Sequence, residues 1–234
     1  MNTRYVIDPL GEGEGTDPDP RFNICSVDCE TFVEQVLALS FSKSGNEIFK
    51  WLDQMRYRNG MRKFKNRYYT MVLDWIPWNL KLGYLKISNQ LISNKLKTIK
   101  KYIDPGYKWA PIFRKRFALM GSDAPKGTAS IQYVPMSVLG KNIDKIKLPA
   151  LGFIVGAKQI KNPFLITHMG FILKNSSGKV VWRHASRSQE RRKVEERIFK
   201  NYLISLQRYF NKKKRRFVEG MIIYTIIEPS KGIK

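Results

Sequence analysis

The chain has 234 residues, 43% of them apolar, and a formal charge of +24 from 43 Lys and Arg against 19 Asp and Glu. That apolar share excludes a disordered chain, and 2 cysteines exclude a disulfide-framed mini-fold. The positive excess runs from Arg56 to Lys234, whereas the stretch ahead of Cys29 is acidic or neutral. Such a charge favours an anionic partner: nucleic acid, a phospholipid surface or an anionic cell-wall polymer. No apolar run reaches the roughly 20 residues of a membrane-spanning helix, and no basic-then-apolar signal peptide opens the sequence. The expectation is a protein that stays inside the cell, or one whose leader is not part of this sequence. Length fits one domain over 1–234, with 1–24 an extended segment packed on it.

In chain order, Asp8 to Pro20 is a Gly- and Pro-rich loop. A helix is predicted from Cys29 to Ser40, with Phe32, Val33, Val36, Leu37 and Leu39 as its apolar stripe and Ser26 or Asp28 as N-cap. A short helix over Asn46 to Gln54 leads into a turn at Arg56-Tyr57-Arg58-Asn59-Gly60. Tyr68 to Trp78 reads as helical up to Pro77, and the Lys- and Asn-rich stretch from Leu80 to Ile103 as helix. Asp104 to Lys126 reads as loop with a short ordered piece.

From Ser130 the pattern turns to strands: Ile131 to Pro135, Gly152 to Ala157, Phe164 to Leu173 and Lys179 to His184, the last two joined by a hairpin loop at Lys174 to Gly178. Glu190 to Phe210 aligns Val194, Ile198, Tyr202 and Leu206 on one helical face. A basic turn at Asn211 to Arg216 precedes a final strand, Val218 to Ile227. Helices first and strands afterwards is the order of an α+β domain with an antiparallel sheet.

Three of the four Cys and His residues fall at chemically suggestive places. Cys29 stands at the start of the first helix, while His168 and His184 stand on successive strands. A nucleophilic cysteine needs its thiolate favoured, and a helix start supplies backbone N–H groups and a positive dipole end. Those N–H groups can also stabilise an oxyanion. An imidazole takes the thiol proton and returns it to the leaving amine, and a second polar residue fixes the tautomer of the first. Each residue alone has a bland alternative, a core thiol or a structural strand histidine. A zinc site from Cys25, Cys29, His168 and His184 is the sharpest rival, although the histidines are sixteen apart rather than at finger spacing.

The segments Asp28-Cys29-Glu30-Thr31-Phe32-Val33-Glu34, His168-Met169-Gly170 and His184-Ala185-Ser186 resemble the Cys, His and His motifs of the NlpC-type bacterial cell-wall hydrolases. The closer likeness is to the N-acetylmuramoyl-L-alanine amidase-like branch. It is supported by Pro9-Leu10-Gly11-Glu12-Gly13, by Arg56 to Gly60, by Arg67 to Trp75, and by the closing Glu219-Gly220-Met221-Ile222.

The resemblance implies a circularly permuted papain-like fold with the nucleophile helix on an antiparallel sheet. It implies Cys29 as nucleophile, His168 as general base and acid, and His184 as orienting residue. It further implies peptidoglycan peptides as substrate, a bacterial cell-envelope or periplasmic location, and no metal or other cofactor. Arg56, Tyr57, Arg67 and Trp75 are candidates to line the substrate groove, with packing beneath the nucleophile helix as the competing role. Two further functions stay open: a thiol acyltransferase on the same fold, and a basic nucleic-acid-binding protein without catalysis. The last has no recognised motif or aromatic platform in its favour, so no nucleic-acid partner is expected.

Overall fold

Asp28 and Thr31 begin the fold's central helix by satisfying each other's backbone. In the computed structural model, which describes residues 2–104, 111–156, 164–188, 191–212 and 218–229, the Thr31 N–H donates to Asp28 Oδ1 at 2.8 Å and the Asp28 N–H donates to Thr31 Oγ1 at 2.9 Å. A reciprocal cap of this kind contributes about 1 kcal/mol and fixes where a helix starts.

Two short parallel strands, β1 (Arg4–Tyr5) and β2 (Ser26–Val27), lead into α1 (Cys29–Phe41) and α2 (Gly45–Arg56). A π-helical turn, Met71–Trp75, runs on into α3 (Ile76–Lys81). Pro77 does not stop this helix: it sits at the join where the wider π repeat gives way to the α repeat.

Then come β3 (Leu85–Ile87), α4 (Asn89–Ile92), β4 (Lys97–Ile103) and α5 (Pro111–Met120). The expected helix from Leu80 to Ile103 is therefore wrong over most of its length. Seven residues of β4 register with β5 (Gly127–Pro135), and β-branched Thr98, Ile99 and Ile103 suit that pairing. α6 (Met136–Leu139), β6 (Ala150–Gly156), β7 (Ile166–Lys174) and β8 (Val180–Ala185) follow. The helix expected from Glu190 to Phe210 is divided: Val194–Ile198 is a strand, β9, and α7 (Phe199–Lys212) begins only after it. β10 (Val218–Ile226) closes the order. Ala157, Glu190 and Lys213 to Arg216, included in those sequence readings, lie outside the described residues.

The main sheet is antiparallel throughout, in the order β4-β5-β10-β6-β7-β8-β9, with β3 also paired to β10. Its faces bury different partners. Leu151, Phe153, Met169 and Phe171 pack with Val33 and Leu37 of α1 and Trp51 and Leu52 of α2. Ile154, Ile172, Trp182 and Ile223 pack with Phe199 and Leu203 of α7. Each fully buried side chain of this size contributes roughly 1.5–3 kcal/mol of transfer free energy. The sheet is thus the middle layer between α1 and α7.

The polar N-terminal stretch is tied to the sheet's far edge. The Asn2 and Tyr5 N–H groups donate to the carbonyls of Val194 and Arg192, and the Val194 N–H donates to Thr3 O. Among the described residues, no helix is long and apolar enough to cross a membrane.

Candidate active site

Cys29 is the first residue of α1, half-buried against the core of that face. Its sulfur is approached by its own backbone N–H and by that of Met169 on β7. The β7–β8 register explains why Met169 is reachable. Pairing runs from Lys174↔Val180 to Phe171↔Arg183, so Met169 lies beyond the last residue of β7 that pairs with β8. The structure therefore brings the thiol next to the residue after His168.

Between the two strands, His168 Nε2 and His184 Nδ1 are 2.6 Å apart, a hydrogen bond with rings nearly perpendicular at 83°. His184 is buried and flanked by Trp182 and Tyr202. Gly170 makes this approach possible: a Cβ there would stand 2.8 Å from the His184 Cβ and 2.9 Å from the Arg183 carbonyl oxygen. The glycine of His168-Met169-Gly170 is thus needed for the neighbouring histidine to come close.

Electrostatics make the resting site neutral. Burial pushes the Cys29 thiol up, reinforced by the carboxylates of Asp28 and Glu30. The sequence reading expected the helix start to favour the thiolate, but desolvation and these two neighbours outweigh it. Burial pushes His168 down to about 4. It takes His184 down to about 2, helped by His168 and the positive charges of Arg197 and Arg191. Uncharged imidazoles can accept a proton at neutral pH.

The four groove candidates separate. Arg56 is buried and bonded to Glu34 at 2.6 Å and to the Arg21 carbonyl at 2.7 Å. Trp75 is wholly buried and donates its ring N–H to the other Glu34 oxygen at 2.8 Å. Tyr57 is buried on Glu12 at 2.9 Å. Arg56 and Trp75 thus anchor α1 through Glu34, and all three side chains are buried, the packing role that the sequence left open beside the groove.

Arg67 differs. It is ion-paired with Asp8, Glu12 and Asp17, and lines a cavity of about 80 Å³ together with Asp28, Glu30, Tyr69 and Arg116. A second cavity, about 970 Å³, lies farther along α1, lined by Phe32, Val36, Phe41, Trp51, Phe171 and Arg183 among others. Cys25 is exposed and bonded through its N–H to Asn23, so it stands in a different environment from Cys29. Among the described residues, no group of three or more His, Cys, Asp and Glu side chains converges as a metal site would require.

Sequence reasoning missed Glu34, a buried carboxylate on what reads as a polar helix position. It also missed Glu195, which lies directly across β8–β9 from His184 and was assigned to a helix. A period-2 reading of Val194 to Ile198 was the one available signal for Glu195.

The architecture is a mixed α/β fold in which a helix-start thiol meets an antiparallel strand bearing one of a bonded histidine pair. The chain belongs to the AmiA-like family, described as N-acetylmuramoyl-L-alanine amidase-like, whose model matches residues 1–208. No curated protein matches the chain in sequence.

Among solved structures, a Legionella pneumophila protein with the family model DUF1460 is similar at a TM-score of 0.79 and 23% identity, over 96% of this chain and 84% of that one. An N-acetylmuramoyl-L-alanine amidase from Bacteroides uniformis is similar at 0.68 and 22%, over 97% and 93%. A Bacteroides fragilis protein described provisionally as a xylanase is similar at 0.69 and 20%, over 97% and 96%. At such identities these likenesses establish the fold.

Proposed function

We propose that this protein is a single-domain cysteine amidase of peptidoglycan muropeptides, built on the permuted papain-like plan of the NlpC-type hydrolases and working in the cell envelope. The observation that carries the reading is the approach of Cys29 to β7 beside the bonded His168–His184 pair. Membership of an amidase-like family supports the substrate class, and the Bacteroides uniformis amidase supports it by name.

Cys29 is the nucleophile. Because His184 occupies Nε2 of His168, Nδ1 is the nitrogen left to serve as base. Thiol and imidazole are both neutral at rest, so proton transfer from sulfur to Nδ1 accompanies attack on the carbonyl carbon. Backbone N–H groups at the start of α1 stabilise the oxyanion. His168 then gives its proton to the departing amine, leaving a thioester on Cys29. Water, deprotonated by the same imidazole, hydrolyses the thioester and restores the thiol.

The family description favours the N-acetylmuramoyl–L-alanine amide, whose acyl part is the lactyl carboxyl of the sugar and whose leaving group is the alanine amine. Arg67 and Arg116 border the cavity beside Asp28 and Glu30 and belong to the substrate's approach.

Defined muropeptides incubated with wild type and with Cys29→Ala, chelator present throughout, test this by mass spectrometry. The expected result is cleavage by wild type alone, with fragments differing by the intact stem peptide. Equal cleavage by both proteins, or none by either, overturns the assignment.

A further inference from the structure

The hydrogen bond between the histidines leaves a choice of proton positions, and only one of them suits a base. If His184 carries its proton on Nδ1, it donates to His168 Nε2, and neutral His168 then bears its own proton on Nδ1. That nitrogen could not receive the thiol proton. In the alternative, His184 is protonated on Nε2, its Nδ1 accepts from the His168 Nε2–H, and the His168 Nδ1 lone pair is free. Something must hold His184 in the second form.

Glu195 is placed to do so. It faces His184 directly in the β8–β9 register, and its Oε1 lies 3.4 Å from His184 Nε2. This is an ion-pair distance short of a formed hydrogen bond, and the Nε2 atom is buried without another hydrogen-bond partner among the described residues. The Glu195 side chain is only 12% exposed, and Arg191 holds its other oxygen at 3.1 Å. The remaining groups around His184 are His168 on β7, Arg197 on β9 and Tyr202 on α7. Of these charged or titratable neighbours, Glu195 is the one placed at Nε2 as an acceptor.

We propose that Glu195 is a positioning residue that holds His184 as the Nε2–H tautomer, so that the relay Glu195–His184–His168 presents the free Nδ1 of His168 to Cys29. The proposal rests on the reading of Cys29 and His168 as nucleophile and base. Arg191 takes part by fixing the carboxylate, which turns the pair into a four-residue chain ending at the surface.

The chain's 2 histidines make the test direct, since every imidazole signal comes from the relay. With ¹⁵N-labelled histidine, NMR of the wild-type protein at pH 7 is expected to show both rings protonated on Nε2. Glu195→Leu is expected to give mixed tautomers. The same variant should lower kcat on muropeptides about 10- to 100-fold with KM little changed, because tautomer control acts on proton transfer rather than binding. Glu195→Gln keeps an acceptor oxygen and should recover most of the activity and the Nε2–H pattern.

Wild-type tautomers with His184 protonated on Nδ1 overturn the proposal, as does a Glu195→Leu protein whose tautomers and kcat match wild type. Equal loss in the Gln and Leu variants also overturns it, since that marks a structural role. If wild type cleaves no muropeptide yet shows the expected tautomers and their loss in Glu195→Leu, the positioning contact stands and the amidase reading falls.

Discussion

One set of buried ionisable groups lies beneath α1 and another on β7 and β8, and burial has opposite consequences for them. Beneath the helix, Glu34 meets the guanidinium of Arg56 and the ring N–H of Trp75, so both oxygens of a buried carboxylate find partners. On β7 and β8, the histidines are buried beside one another and near Arg191 and Arg197, with Glu195 reaching His184 alone. Their charged forms are disfavoured and they stay neutral. The first arrangement fixes a helix in place and the second keeps a base unprotonated. Partner identity, rather than depth, decides which outcome burial has.

Breaking the compensated side should have the largest effect on stability. Glu34→Ala leaves the Arg56 charge buried without its partner and should cost about 3–5 kcal/mol in urea denaturation. A loss under about 1 kcal/mol would mean that Arg56 is resolvated easily and that α1 is not anchored there.

On the neutral side, Gly170→Ala forces a methyl group against the His184 Cβ and the Arg183 carbonyl. Overpacking of this kind costs about 1–3 kcal/mol. Separation of the rings should lower turnover by more than the stability loss accounts for, as read from kcat at saturating substrate well below the melting temperature.

The pH dependence sharpens the contrast. Both histidines have folded-state values below the unfolded one, so the unfolded chain binds their protons first as pH falls. Their contribution is fully present above about 6.5 and declines through the His168 value of about 4 and on towards the His184 value of about 2. Between pH 7 and 4.5, wild type should therefore lose stability more steeply than a His168→Gln variant. Parallel curves would show that His168 is not desolvated as described.

The smallest effect belongs to the cross-strand pair of Arg183 and Glu196, 2.6 Å apart with the arginine 35% exposed. Abolishing the pair by Glu196→Gln should cost less than about 1 kcal/mol, because water and salt already screen it. A double-mutant cycle with Arg183→Ala measures it.

Much of the site was readable residue by residue. Asp28 is one of two readable caps for the helix start, the apolar positions Phe32, Val33 and Leu37 give its buried face, and the runs around His168 and His184 read as strands. Leu39, by contrast, is 48% exposed although it belongs to the same apolar pattern.

What failed were segments whose state is decided by a distant partner. Val194-Glu195-Glu196-Arg197-Ile198 has its apolar ends at helical spacing with Tyr202 and Leu206, yet five register pairs with β8 make it a strand. The Lys-rich run from 97 to 103 is likewise claimed by β5. Arg56, Tyr57 and Trp75 read as groove with packing as the competing role, because a sequence does not say that Glu34 or Glu12 waits inside for them. The same blindness hid Glu195, whose position becomes meaningful only once β9 lies against β8.

The backbone tie between residues 2–5 and the edge of the sheet has a practical consequence. Asn2, Thr3 and Tyr5 share hydrogen bonds with Arg192 and Val194, immediately before Glu195. An affinity tag, a surface tether or a protease cut at this end would tug on the strand that carries the relay's carboxylate. Tethers for immobilised preparations are better attached elsewhere, and trimming of these few residues belongs among the first explanations to check for a batch that folds but turns over slowly.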